Sequence, residues 1–321
     1  MQPTLLQLVQ GNLPKNRKEA IEMGKIKVMC TSTGCIEYAP ERYRNLGIDI
    51  IRIHIYFEGK DYLEGIDLNP WEFYEKLETL EDPKNNLPKT GMPSIETIRA
   101  HYDKAIEEGC DEAIVIAISS GLGGTYNELS LVAREYEDRL KVHVVDSKVT
   151  CFNEGYLAVF AKKLVDEGRD SETILKEINW MIKHQEFYGV DGKLDYLIYN
   201  GRLKGGKAFI GQMLKICPVV HFTKDGELLA LESVRTPKKA LMRMCEMMKE
   251  IIGDRDPKDY LLWHVYTGTS LLETLKEIEG RYGIETNHED VIMSPVSGCH
   301  NGPWLAGYEL IRLRREDEPL E

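Results

Sequence analysis

Ala113-Ile114-Val115-Ile116-Ala117-Ile118-Ser119-Ser120-Gly121-Leu122-Gly123-Gly124-Thr125-Tyr126 is an apolar run ending in two hydroxyls, a glycine-rich turn and the start of a helical pattern. The run Ala113–Ile118 reads as a buried strand, and the turn hands the chain to a helix beginning near Thr125. The same alternation continues outward. Apolar runs at Ile26–Met29, Ile48–Phe57 and Val142–Val145 are separated by helical periodicity. Strands alternating with helices predict an α/β domain whose mostly parallel sheet carries helices on both faces.

A second hydroxyl-bearing stretch, Pro88-Lys89-Thr90-Gly91-Met92-Pro93-Ser94, precedes another helix, with Ser94 as N-cap, an apolar stripe at Ile95, Ile98, Tyr102, Ala105 and Ile106, and Gly109 as the stop. Thr90, Ser119 and Ser120 therefore sit where hydroxyls and free backbone N–H groups can converge on a small anion. Read from spacing alone, these hydroxyls could equally cap their own loops.

Beyond Glu154–Glu167, a helical stretch, Gly168 is a stop and Asp170/Ser171 can cap the next helix, with its stripe Ile174, Leu175, Ile178, Met181 and Ile182. A chain of 321 residues exceeds what one core usually fills, so the boundary is placed there. The expected division is an N-terminal extension over 1–24, an N-terminal α/β domain over 25–169 and a C-terminal α/β domain over 170–321. In the second half Tyr196–Tyr199, Pro218–Phe222, Leu228–Val234, Tyr260–Val265 and Val291–Val296 read as strands, and helices are expected near Lys238–Ile252 and Ser270–Ile278. Asp225-Gly226 between two of these strands reads as a hairpin turn, so the second sheet should be mixed or antiparallel, with helices. The stripe Leu241, Met244, Met247, Met248, Ile251 and Ile252 reads as core, the other option being a Met-lined tunnel wall. The charged tail Leu313–Glu321 is expected to fray.

With 42% hydrophobic and 29% charged residues the chain can bury a sizeable core. A net charge of -12 with no Lys/Arg stripe argues against nucleic acid, and any anion site must build its own positive potential. Seven scattered cysteines without a C-x-x-C pair disfavour a disulfide framework and a metal site, which fits a reducing cytoplasm. The apolar patch Leu5, Leu6, Leu8 and Val9 lacks the flanks of a signal peptide, and no run of 18 apolar residues predicts membrane insertion.

In order along the chain, several motifs resemble those of the DegV family of fatty-acid-binding proteins, from about Lys25 to Leu313. The family's D-S-T-A-D after its first strand is matched by Thr31-Ser32-Thr33-Gly34-Cys35, with both acids lost. Tyr62 to Asp67 and Phe73 to Leu77 are similar to its Y-x-D-G-x-D and F-Y-x-x-L; Lys89 to Ser94 is similar to K-T-S-Q-P-S, and Ile118 to Tyr126 to I-S-S-x-L-S-G-T-Y, with Gly91 and Gly123 replacing serines. Asp146-Ser147, Gly201-Arg202-Leu203, Ile216-Cys217-Pro218 (without its Lys) and Gly298-Cys299-His300-Asn301-Gly302-Pro303-Trp304 complete the series. The resemblance implies a carrier, not an enzyme, that needs no cofactor and holds a long-chain fatty acid in an apolar tunnel between its domains. It further implies a partner, an ATP-dependent fatty acid kinase related to dihydroxyacetone kinases, to which the carboxylate is presented. By position the carboxylate's holders would be Thr90, Ser120, Arg202 and His300, with Ser119 beside them.

Physical chemistry divides that task. Burying about fifteen methylenes at roughly 0.8 kcal/mol each gives on the order of 12 kcal/mol, so the tail supplies affinity while the polar groups orient the head. A desolvated carboxylate needs a cation, which gives Arg202 its weight, although alone it would read as a surface ion-pair residue. His300, placed in a Gly/Pro-rich loop after Val291–Val296, could instead be structural. The rival reading is a hydrolase or phosphoryl-transfer enzyme acting on a small acyl or phosphorylated substrate through Ser120, His300 and Lys207. Gly201 to Ala208 only approaches a P-loop, because Ala208 lacks the hydroxyl that holds Mg²⁺. A scaffold with a vestigial pocket is the third reading.

Overall fold

The computed structural model describes residues 24–203, 216–232, 234–284, 289–315 and 318–320. The expected N-terminal extension, except Gly24, lies outside the described residues, as do Lys207 and Ala208. In chain order the first half holds β1 (Ile26–Thr31), β2 (Asp49–Ile51), β3 (His54–Phe57), β4 (Lys60–Leu63), α1 (Pro70–Glu78), α2 (Pro83–Asn86), β5 (Lys89–Gly91), α3 (Ile95–Glu107), β6 (Glu112–Ala117), α4 (Thr125–Arg134), β7 (Lys141–Asp146) and α5 (Cys151–Asp166). The second half holds α6 (Ser171–Lys183), β8 (Gln185–Asp191), α7 (Asp195–Tyr199), β9 (Val219–Phe222), β10 (Leu228–Glu232), α8 (Pro237–Ile252), β11 (Tyr260–Tyr266), α9 (Thr269–Glu279), β12 (Asp290–Ile292), α10 (Pro295–Asn301) and β13 (Leu305–Arg312).

The expected parallel sheet is present, ordered β2-β1-β6-β7 with every pairing parallel. Alternate residues of its strands face opposite sides. Met29, Val115 and Ala117 pack with Ile98 and Tyr102 of α3 and with Leu129 and Val132 of α4. Val28, Cys30, Ile114 and Ile116 pack with α5 on the other side. The second sheet is mixed, ordered β10-β9-β8-β13-β11-β12, and only the β11/β12 pairing is parallel. The stripe of α8 is core: Leu241, Met244 and Met248 pack with Leu272 and Leu275 of α9 beneath this sheet.

The sheet's opposite face, with Phe187, Trp263, Val265 and Ile311, meets α5 as well. Helix α5 therefore lies between the two sheets, and its stretch over residues 151–159, buried on all sides, must be mostly apolar all round. Cys151, Phe152, Tyr156, Leu157, Ala158, Val159, Ala161 and Leu164 are buried. The Phe152 and Tyr156 rings each stand 5.1 Å from that of Trp263 on β11. Gly155 permits the approach on the other side, because a Cβ there would lie 2.0 Å from the carbonyl oxygen of Gly34. Two carboxyls complete the packing. Glu154 accepts from Thr33 at 2.9 Å and from Thr31, while Glu309 of β13 accepts from the backbone N–H of Asn153 at 2.9 Å and from that of Phe152.

Several elements differ from the sequence reading. The run Ile48–Phe57 is not one strand: β2 belongs to the parallel sheet, whereas β3 turns into a separate antiparallel sheet ordered β4-β3-β5. Tyr196–Tyr199 is helical, since short apolar runs have too few residues to reveal their period. Val291–Val296 splits into β12 and the start of α10, where Ser294 accepts from Ser297 N–H as N-cap and Pro295 takes the first helical position. The tail does not simply fray, because Arg314 pairs with Glu177 at 2.7 Å and Arg312 with Glu318 at 2.8 Å.

Two predictions follow from α5. Burial raises the Glu154 carboxyl from 4.5 to about 8 against the opposing hydrogen bonds of Thr31 and Thr33. Between those values the native state holds a proton that the unfolded chain releases, so this carboxyl's contribution to stability is full below pH 4.5 and is lost as pH rises through 8. Glu154→Gln should flatten that decline, with a variant-minus-native stability difference on the order of a few kcal/mol larger at pH 8.5 than at pH 4.5 in urea titrations. Gly155→Ala should destabilise by about 1–3 kcal/mol, the overlap with Gly34 outweighing the roughly 1 kcal/mol that alanine gains in a helix.

Candidate functional site

A cavity opens between the loop edge of the parallel sheet and the mixed sheet, beside the N-terminal end of α5. Ile118, Leu122 and Met92 form one wall, Phe187, Val220, Phe222 and Leu228 the facing wall, and Met293 and Val296 lie on the α10 side. About 820 Å³ of atom-free space lies between its walls and mouth, part of it open to solvent.

Three of the expected residues meet at its polar end. Thr90 is placed by β5, whose pairing with β3 sets it opposite Ile55. Its Oγ1 lies 3.1 Å from His300 Nε2. His300 is in the last turn of α10, not in a loop. Gly298 lets that helix pack, since a Cβ would come within 2.4 Å of the Tyr74 ring, and Gly302, at φ 65°, ends it. Arg202 returns toward the cavity through Gly201, at φ 67°, which terminates α7. Its Nε donates to Leu122 O at 2.9 Å and its Nη1 to Asn200 O at 2.6 Å. The uncapped N-terminus of α4, with Gly123, Gly124 and Thr125 on the cavity wall, adds free backbone N–H groups.

The electrostatics are one-sided. No acidic side chain lines the cavity or pairs with Arg202 among the described residues, and burial alone lowers the guanidinium's pKa from its ordinary value. Burial, and secondarily the Arg202 charge, push His300 down to about 3, so the imidazole is neutral at physiological pH. A neutral imidazole with so low a pKa can share a hydrogen bond but is a poor general base.

Ser119 and Ser120 depart from expectation, and neither lines the cavity. The Ser119 hydroxyl donates to Gly226 O at 2.7 Å, and that glycine's φ of 81° belongs to the β9–β10 hairpin of the opposite sheet. Ser119 thus latches the two halves of the molecule together. Ser120 turns to Asp146, giving its backbone N–H at 3.1 Å together with its hydroxyl. Thr150, Ser297 and Asn301, which the sequence reading missed, supply further polar wall. Thr150 precedes a helix and looks like an ordinary N-cap, whereas Ser297 and Asn301 could be found only once α10 was known to be helical, one turn apart on the face that carries His300.

Comparisons with known proteins agree with this architecture. The family model described as an uncharacterised protein of the DegV family matches residues 25–312. A DegV domain-containing protein of Clostridium acetobutylicum is 30% identical over 289 residues, covering 90% of this chain and 99% of that one. A fatty acid binding DegV family protein from Streptococcus agalactiae superposes with a TM-score of 0.81 at 28% identity, covering 91% of this chain and all (100%) of that one. DegV of Bacillus subtilis, described as a fatty acid binding protein, superposes with a TM-score of 0.76 at 28% identity, over 90% of this chain and 99% of that one. The chain belongs to the DegV family.

Proposed function

We propose that this protein binds a long-chain fatty acid, its alkyl tail in the channel between the two sheets and its carboxylate between Arg202, Thr90, His300 and the N-terminus of α4. One observation carries the reading: a half-buried guanidinium with no acidic partner among the described residues, in a cavity walled largely by apolar side chains, in a protein of net charge -12. A buried cation without a counterion is costly, and a carboxylate ligand relieves that cost. The apolar walls suit an alkyl chain, and the Streptococcus and Bacillus proteins named above as fatty acid binding support the ligand class.

The carboxylate end lies near the surface, beside Met92, which is 49% exposed and also lines the cavity. That exposure suits presentation of the head group to a separate ATP-dependent kinase in the cytoplasm, with this chain as carrier. The hydrolase reading needs Ser120 beside His300, whereas Ser120 is bonded to Asp146 and His300 to Thr90.

Mass spectrometry of an organic extract of the purified protein should find a fatty acid near one per chain; an empty protein that also ignores added oleate and palmitate would overturn the proposal. Arg202→Gln should weaken binding of the free acid by about 10–100-fold, the usual loss of a charge-assisted hydrogen bond, while binding of the methyl ester changes much less. Reconstitution with ATP and a fatty acid kinase, read as acyl phosphate formed, tests the partner: product with native protein and little with Arg202→Gln is expected, and no product with either speaks against a kinase role.

A further inference from the structure

We propose that the preferred ligand carries an oxygen function on its hydrocarbon chain, a hydroxyl or keto group received by Thr150 and Ser297. This rests on the reading that the cavity holds a fatty acid, and it goes beyond it by naming the class of chain.

Thr150 occupies the N-cap position of α5, where a threonine hydroxyl normally accepts from the second or third N–H of the helix. Here those two donors, Phe152 and Asn153, are taken by the Glu309 carboxyl, which reaches across from β13 of the mixed sheet. The cap is thus supplied from another element, and Thr150 makes no side-chain capping bond. Its residue is only 6% exposed, it lines the cavity, and Oγ1 has no hydrogen-bond partner among the described residues. A buried hydroxyl left unpaired is a standing penalty that valine, of the same shape, would avoid.

Ser297 stands close by. Its Oγ meets only the thiol of Cys151, the residue after Thr150, at 4.0 Å among the described residues. It also lines the cavity, three residues before His300 on α10, about 4.5 Å along the helix axis. Two hydroxyls without strong partners among the described residues therefore line the same cavity, with Ser297 on the helix that carries His300 of the carboxylate cradle. An unsubstituted alkyl chain passing them leaves both unsatisfied, whereas a chain oxygen can accept from one and, as a hydroxyl, donate to the other.

The test is displacement of a fluorescent fatty acid from the purified protein by stearate and by its 3-, 10- and 12-hydroxy and 10-keto derivatives. At least one oxygenated isomer should bind about tenfold more tightly than stearate. Thr150→Val should erase that preference and tighten stearate binding severalfold, Thr150→Ser should retain it, and Ser297→Ala should reduce it. Stearate binding as well as or better than every derivative to the native protein, or a preference surviving Thr150→Val, overturns this inference and leaves the fatty-acid reading intact. A protein that binds none of the acids overturns both.

Discussion

Burial of α5 between two sheets is the constraint on which the rest of the architecture depends. A helix buried all round over residues 151–159, with Lys162, Lys163 and Asp166 reaching solvent only beyond them, must satisfy three demands: apolar side chains all round, close approach to backbone on one side, and partners for the polar groups it carries inward. Phe152 and Tyr156 against Trp263 meet the first, and Gly155 against Gly34 the second. Thr31 and Thr33 on Glu154, and Glu309 on the helix N-terminus, meet most of the third, with Asn153 Oδ1 and Thr150 Oγ1 left without partners among the described residues. Shared packing of this kind welds the two halves through one continuous apolar cluster.

The cavity exists where that packing stops. Beyond the N-terminal end of α5 the sheets are joined by the Ser119–Gly226 hydrogen bond, and between latch and helix the facing walls are apolar. Carboxyl groups are buried elsewhere in the molecule, at Glu154, Glu309 and Asp191, and burial raises the pKa of each. None lines the channel. Arg202 thus stands in this cavity without a carboxylate beside it among the described residues, in a protein whose net charge is -12.

Much of the fold was legible because its strands obey simple patterns. Ile26–Thr31 and Glu112–Ala117 are apolar runs between glycine- and hydroxyl-rich turns, and Asp225-Gly226 marked its hairpin directly. The failures have physical causes. Ile48–Phe57 stays apolar while changing sheets, so hydropathy carries no trace of the break, and Tyr196–Tyr199 is shorter than two helical turns. Ser294-Pro295 did carry a helix-start signal that the apolar run around it masked. Of the residues that motif order singled out, Thr90, Arg202 and His300 come together at one cavity, whereas Ser119 and Ser120 bond elsewhere, because a hydroxyl on a loop looks the same in sequence whether it faces a cavity or a neighbouring turn.

The position of β13 has a bearing on how the chain reaches this state. Among the described strands it comes last in the chain, yet it lies between β8 and β11 near the middle of the mixed sheet, and its Glu309 supplies the cap of a helix some 150 residues earlier, at Asn153. The mixed sheet cannot close before this strand is made. Until then the nascent polypeptide holds the greasy face of α5 and the unpaired edges of β8 and β11 open, which places a demand on protection against aggregation.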